Sequence, residues 1–266
     1  MQAVETYPDA EADLELLREA AAEAGRIALR YFRKDPEVWM KTGQSPVSEA
    51  DYAADKFLRE TLLAARPDYG WLSEETADDL SRLDRRRTFV VDPIDGTRGF
   101  LAGGDVWCVS AAVVDNGRTI AGVLECPAKG ETFTALPGGG AFLNGERLAV
   151  PPIGAAPSIG GPNPLLSALP APLKASMRHI SYVPSLAYRV AMIAAGRLDA
   201  TFVRPNSHDW DIAAADLILW EAGGRLLDPS GERPHYASAR VQHGALAAGS
   251  GELLHVMVST LARLDR

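Results

Sequence analysis

Apolar side chains return at Leu14, Leu17, Ala21, Ala24, Ala28 and Phe32, the spacing of one helix face, and predict a helix over 10–34 that Lys34-Asp35-Pro36 ends. A second helix is expected from about Ala50 to Ala65, with Phe57, Leu58, Leu62 and Leu63 apolar, stopped by Pro67. The pattern then changes to strands. Thr88-Phe89-Val90-Val91 is a short β-branched and aromatic run that ends at Asp92. Residues 106–114 and 119–126 flank Asp115-Asn116-Gly117, a hairpin signal because Asn-Gly accepts positive φ. Residues 131–135 and 141–143 extend the sheet, and Asn144-Gly145 marks another turn. Gly138-Gly139-Gly140 reads as a hairpin loop, since no GKS or GxGxxG pattern accompanies it.

From Pro151 to Pro172 the chain is rich in Pro, Gly, Ala and Ser, which predicts a rigid crossover between two lobes. A helix near 185–195 ending at Gly196, a strand at 200–203 and a helix over 211–222 ending at Gly223-Gly224 complete the pattern. The expectation is a layered α+β fold with one shared core. It forms one domain over 1–266, with sub-lobes of about 1–150 and 151–266.

The net charge of −8 argues against non-specific nucleic-acid binding, yet a bound metal ion can reverse the local field and admit an anionic substrate. No apolar run is long enough to span a membrane. The start, Met1-Gln2-Ala3-Val4-Glu5, lacks the features of a secretory signal. Cys108 and Cys126 fall in strand-like runs and read as buried thiols. A cytoplasmic protein is expected.

The candidate chemistry lies in carboxylates. Val91-Asp92-Pro93-Ile94-Asp95-Gly96-Thr97 places two acids three residues apart at the end of an apolar strand, with no basic neighbour before Arg98. Their repulsion calls for a cation, and Mg²⁺ suits such oxygen ligands. Pro93 stiffens the turn, Gly96 allows close approach, and a helix starting at Thr97 would offer free N–H groups to a phosphate. Taken singly, this could be an Asp-rich turn. Glu74-Glu75, after Trp71-Leu72-Ser73, could be a solvated pair, and the acids of Ser207-His208-Asp209-Trp210-Asp211 could be helix caps. His208 is placed to help position that helix start; His179, His235, His243 and His255 have no ligand spacing and read as solvated or structural. The spacing of Asp92 and Asp95 does not fit the Asp-x-Asp-x-Thr of haloacid-dehalogenase phosphatases.

Together these segments resemble the inositol monophosphatase superfamily of metal-dependent, often lithium-sensitive phosphatases, in order and along nearly the whole chain. Lys41-Thr42-Gly43-Gln44-Ser45-Pro46-Val47-Ser48-Glu49-Ala50-Asp51 is similar to the family's lysine-to-aspartate motif. Leu72-Ser73-Glu74-Glu75 is similar to its Gly-Glu-Glu, with serine for glycine. Asp92 to Thr97 matches Asp-Pro-Ile-Asp-Gly-Thr, and Trp210-Asp211-Ile212-Ala213-Ala214 matches Trp-Asp-x-Ala. The resemblance implies an αβαβα phosphatase fold without a covalent phosphoenzyme. It implies two or three Mg²⁺ ions held by Glu74, Asp92, the Ile94 carbonyl, Asp95 and Asp211. It also implies that Thr97, with Asp51, activates a water near Glu74, that Gly96 and Thr97 cradle the phosphate, and that Asp95 and Asp211 touch substrate. A homodimer is expected.

Substrate choice turns on the residue seven before Asp211. Inositol monophosphatases place a glutamate there, whereas this chain has Arg204, or Val203 if the spacing is counted from Asp199. An arginine would favour a second anionic group. Arg98-Gly99-Phe100 is also closer to the Lys-Glu-Phe of 3′(2′),5′-bisphosphate nucleotidases than to the Thr-Asn-Phe of inositol monophosphatases. The expectation therefore leans to a bisphosphate nucleotide. Inositol monophosphate, histidinol phosphate and fructose bisphosphate are the alternatives, and a non-catalytic phosphate- or metal-binding protein is the rival from another class.

Overall fold

Leu17, Ala20, Ala21, Ala24 and Ala28 line the buried face of helix α1 (Ala10–Leu29), so small side chains let it lie close to the sheet beneath. The structure, a computed structural model, describes Tyr7 and residues 9–41 and 46–265. After α1 come β1 (Val38–Met40), β2 (Pro46–Ser48), α2 (Glu49–Ala65), β3 (Gly70–Ser73), β4 (Arg87–Asp95) and α3 (Thr97–Leu101). Strands β5 (Cys108–Asp115), β6 (Arg118–Cys126), β7 (Glu131–Leu136), β8 (Gly140–Leu143) and β9 (Glu146–Arg147) follow. The second half holds β10 (Ser158–Gly160), α4 (Asn163–Ser167), α5 (Ala171–Ser176), β11 (Arg178–His179), α6 (Leu186–Ala194) and β12 (Ala200–Val203). It ends with α7 (Asp209–Glu221), β13 (Arg225–Leu227), β14 (Leu246–Gly249) and α8 (Gly251–Leu264).

A seven-stranded sheet runs β3-β4-β5-β6-β7-β8-β9, and a five-stranded sheet runs β11-β10-β12-β14-β13. Alternation along β4 and β5 sends Phe89, Val91, Val109, Ala111 and Val113 toward α1 and α2, and Val90, Cys108, Ala112 and Val114 toward α6 and α7. Both faces are covered, so these strands read as continuous apolar runs. Beyond α6 and α7 lies the smaller sheet, and α8 and α4 close its far side with Leu166, Leu253, Leu254, Met257 and Leu261. The layers are therefore αβαβα, and the expected single core is instead divided by the two sheets into separate clusters.

The Asn116-Gly117 turn has φ of 48° and 79°, as a two-residue hairpin requires. The Gly138–Gly140 loop is a hairpin turn whose Gly138 and Gly140 amides donate to Glu221. Helix α1 stops at Leu29, short of residue 34, because Arg33 and Asp35 take left-handed φ. Phe32, beyond the helix, packs on Phe100 and Trp107. The Pro-rich crossover carries β10, α4 and the start of α5 rather than bare connection. Cys108 and Cys126 are buried free thiols, as expected. No helix among the described residues is long and apolar enough to cross a membrane.

Candidate active site

Strands β3 and β4 are parallel, with Ser73 opposite Val91. Their C-terminal ends therefore deliver the next residues, Glu74 and Asp92, side by side. The Glu74 amide extends the pairing by donating to the Val91 carbonyl at 3.2 Å. The third acid comes from the start of α7, where Asp211 Oδ2 accepts from the His208 amide at 2.7 Å in a capping box. Glu74, Asp92 and Asp211 each offer a carboxylate oxygen, and these atoms lie within 4.8 Å of one another. Burial, followed by repulsion from Glu74, Asp95 and Asp211, raises the Asp92 pKa far above the carboxylate range. Burial and the charge of Asp95 raise Asp211 in the same way. A hard divalent cation fits this donor set, because it would hold all three acids ionised.

Strand β4 does not end at Asp92. Its ladder with β5 runs to Asp95 with a register shift between the two acids, where Pro93 has no amide to give. Asp92 Oδ1 accepts from the Ile94 amide at 3.0 Å, tightening the bulge. Asp95 is buried but stands apart from the three-acid cluster. Its carboxylate accepts from Ser185 Oγ at 2.5 Å, the Ala187 amide at 2.6 Å and the Leu186 amide at 3.3 Å, and so holds the N-terminus of α6. Burial raises its pKa to about 6 despite these donors. Gly96 has φ 99°, and a Cβ there would sit 3.2 Å from Ser185, so glycine permits this approach of α6.

Thr97 Oγ1 lies 3.1 Å from Asp51 Oδ1 and 3.0 Å from the Ile94 carbonyl. Asp51 Oδ2 in turn accepts from the Ser48 amide and hydroxyl at 2.8 and 2.6 Å, as the capping box of α2. Burial raises the Asp51 pKa. Ser73, where the family motif has glycine, donates its hydroxyl to Asp55.

Arg204 lines the cleft and is exposed, whereas Val203 is buried in the core between α7 and the small sheet, so the arginine is the residue that faces substrate space. The cleft measures about 610 Å³, and Glu74, Asp92, Ile94, Asp95, Gly96, Thr97, Arg204 and Asp211 all line it. Asp51 does not, and reaches it only through Thr97. His208 stacks on Trp210 at 4.5 Å and steadies the start of α7. Asp209 is not the cap. It is buried and accepts from the Ala237 amide and pairs with His243, both at 2.7 Å.

Four residues here escaped the sequence reading as site residues. Lys41 Nζ donates to Glu74 Oε1 at 2.9 Å and Glu75 Oε1 at 2.7 Å. Burial opposes its charge, but the two acids outweigh that and hold its pKa above the ordinary ammonium range. Its signal was its place at the head of the Lys41–Asp51 motif. Ser185 gave only a helix-start signal. Arg189 is the single charged residue of α6 and lines the cleft, as does exposed His179.

Residues 9–263 match the model of the inositol monophosphatase family. The chain belongs to that family. It is 33% identical to an inositol monophosphatase of Dictyostelium discoideum, over 84% of this chain and 86% of that protein. It is also 33% identical to a histidinol-phosphatase of Chlorobaculum parvum, over 83% and 87%. The solved structure of the extragenic suppressor protein suhB from Bartonella henselae superposes with a TM-score of 0.81 at 30% identity, covering 94% of this chain and 98% of that one. Membership in the inositol monophosphatase family makes the chain a phosphatase of a metal-dependent kind, generally served by Mg²⁺ and typically sensitive to lithium.

Proposed function

We propose that the chain hydrolyses the phosphate monoester of a small soluble metabolite, with Glu74, Asp92, Asp211, Asp95 and the Ile94 carbonyl holding two or three Mg²⁺ ions. The observation that carries this is the trio of acids converging within 4.8 Å on one cleft. Bound there, Mg²⁺ supplies Lewis-acid activation of water and neutralises the phosphate and the leaving alkoxide. The chain's own residues do the rest. Asp51 and the Ile94 carbonyl compete for the single hydroxyl hydrogen of Thr97, which leaves the Thr97 oxygen free to accept a hydrogen from the attacking water. Asp51, its pKa raised by burial, is suited to take up the proton that Thr97 relays. The amides of Gly96 and Thr97 open α3 on the cleft, where they would meet phosphate oxygens.

Among candidate esters, the cleft position of Arg204 favours a 3′(2′),5′-bisphosphate nucleotide. The names of the relatives support inositol monophosphate or histidinol phosphate as alternatives. A retired fold that only binds phosphate fits less well, because Glu74, Asp92, Asp95, Thr97 and Asp211 are all in place. The proposal includes one working domain, a homodimer and, given two buried free thiols, a cytoplasmic setting. Phosphate release from these three esters and from fructose 1,6-bisphosphate, with Mg²⁺ and with a chelator, tests the activity. Light scattering tests the dimer. A chelator-sensitive rate on at least one ester is expected; none on any would overturn the reading.

A further inference from the structure

Helix α6 is apolar except for Arg189, which lies one turn past Ser185 and faces the cleft. The helix is fastened at its N-terminus to Asp95, so the position of Arg189 is tied to the acidic turn. One guanidinium nitrogen, Nη2, donates to the Phe202 carbonyl at 3.3 Å, while Nε is buried without a partner. Among the described residues, no carboxylate pairs with Arg189 or with Arg204, and both line the same cleft. Burial draws the Arg189 pKa down, Asp95 and Tyr182 push it back, and the neighbouring charge of Arg204 lowers it further. Two guanidinium groups thus line one cleft, one of them with a buried donor that has no partner. An arrangement of this kind is costly until an anion enters, and a planar fork suits a carboxylate or phosphate. Ser207, which also lines the cleft, adds a buried hydroxyl without a partner.

We propose that Arg189 and Arg204 together seat a second anionic group, a carboxylate or a further phosphate, carried by the alcohol part of the ester. The inference rests on the phosphatase reading above, and it moves the weight of recognition from the exposed Arg204 to the sheltered Arg189. The phosphate to be cleaved lies with the acids and α3, and the second anion is held by α6 and the end of β12. A neutral polyol brings neither guanidinium group a counter-charge.

Three esters separate the sources of the anion: glycerol 2-phosphate with a neutral alcohol, 2-phosphoglycerate with a carboxylate, and adenosine 3′,5′-bisphosphate with a second phosphate. Wild-type protein should favour at least one anion-bearing ester over glycerol 2-phosphate by about tenfold or more in kcat/KM, since a charge-assisted contact is worth at least that factor. Which ester wins identifies the anion. Arg189→Gln and Arg204→Gln should each cut that ratio about tenfold, chiefly through KM, and Arg189→Lys should restore part of it. Titration calorimetry on the same esters, with Mg²⁺, reads the preference as a ratio of dissociation constants whether or not turnover occurs. Tighter binding of an anion-bearing ester without turnover would overturn the phosphatase reading and support the subsite. Turnover with equal kcat/KM and equal affinity for all three esters would overturn the subsite and leave the phosphatase reading standing. A ratio unmoved by Arg189→Gln in folded protein would also overturn it.

Discussion

Thr97 has one hydroxyl hydrogen and two acceptors within 3.1 Å, Asp51 and the Ile94 carbonyl. A hydroxyl held this way acts on the water rather than on substrate binding, so Thr97→Ala should lower kcat about a hundredfold while KM changes little. Steady-state kinetics checks the split, and a change confined to KM would reassign Thr97 to phosphate binding. Asp95 carries two duties, since its carboxylate both faces the cleft and accepts three hydrogen bonds from α6. Asp95→Asn should therefore cut turnover by about a hundredfold or more and, with Mg²⁺ offsetting the buried charge, also weaken folding by about 1 kcal/mol, because an amide cannot accept all three. Circular dichroism melts and phosphate release on one preparation measure both. At this scale the acids were legible in the sequence because each sits beside a strand end or helix start in a spaced motif. Arg189 was not, because a lone basic residue in an apolar helix looks the same whether it faces solvent or a cleft.

The elements that position the site are the β3–β4 pair, the bulge after Asp92 and the starts of α6 and α7. Ser185 is the hinge among them: its hydroxyl accepts from the Tyr188 amide at 3.0 Å and donates to Asp95. Ser185→Ala removes the cap, and should destabilise the protein by about 1–2 kcal/mol and raise KM by loosening α6 against the cleft. Denaturant titration and kinetics together test this, and a normal KM with lowered stability would make Ser185 structural alone. The long elements were readable because helical spacing and continuous β-branched runs persist over many residues. Strands β10, β13 and β14, three or four residues each, are too short to show alternation, and only the second sheet gives them partners. Helix α8 lies beyond the Gly223-Gly224 stop that closes the sequence pattern, although its Leu253, Leu254, Met257 and Leu261 carry a helical period. The contact of Asp95 with α6 joins residues some ninety positions apart, and no local pattern encodes it.

For the whole molecule, the cluster makes the metal-free protein's stability depend on pH. Burial raises Asp95 to about 6 and, against the pull of Lys41, raises Glu75 to about 7. Both therefore bind protons more tightly folded than unfolded, so their contribution is full below about pH 4 and is lost as pH rises to about 7. Melts in chelator should fall relative to melts in Mg²⁺ across this window, and parallel curves would mean that no cation acts on these acids. The layered plan and the order of motifs were legible as far as α7, while the division of the core by two sheets was not, since hydrophobicity alone does not say which face a residue buries. The most direct test of the central claim is phosphate release measured against Mg²⁺ concentration for wild-type and Asp92→Asn protein. A saturable, Mg²⁺-dependent rate in wild type that falls at least about a hundredfold in the folded variant is the expected result. A rate independent of Mg²⁺, or one that Asp92→Asn leaves intact, would contradict the account.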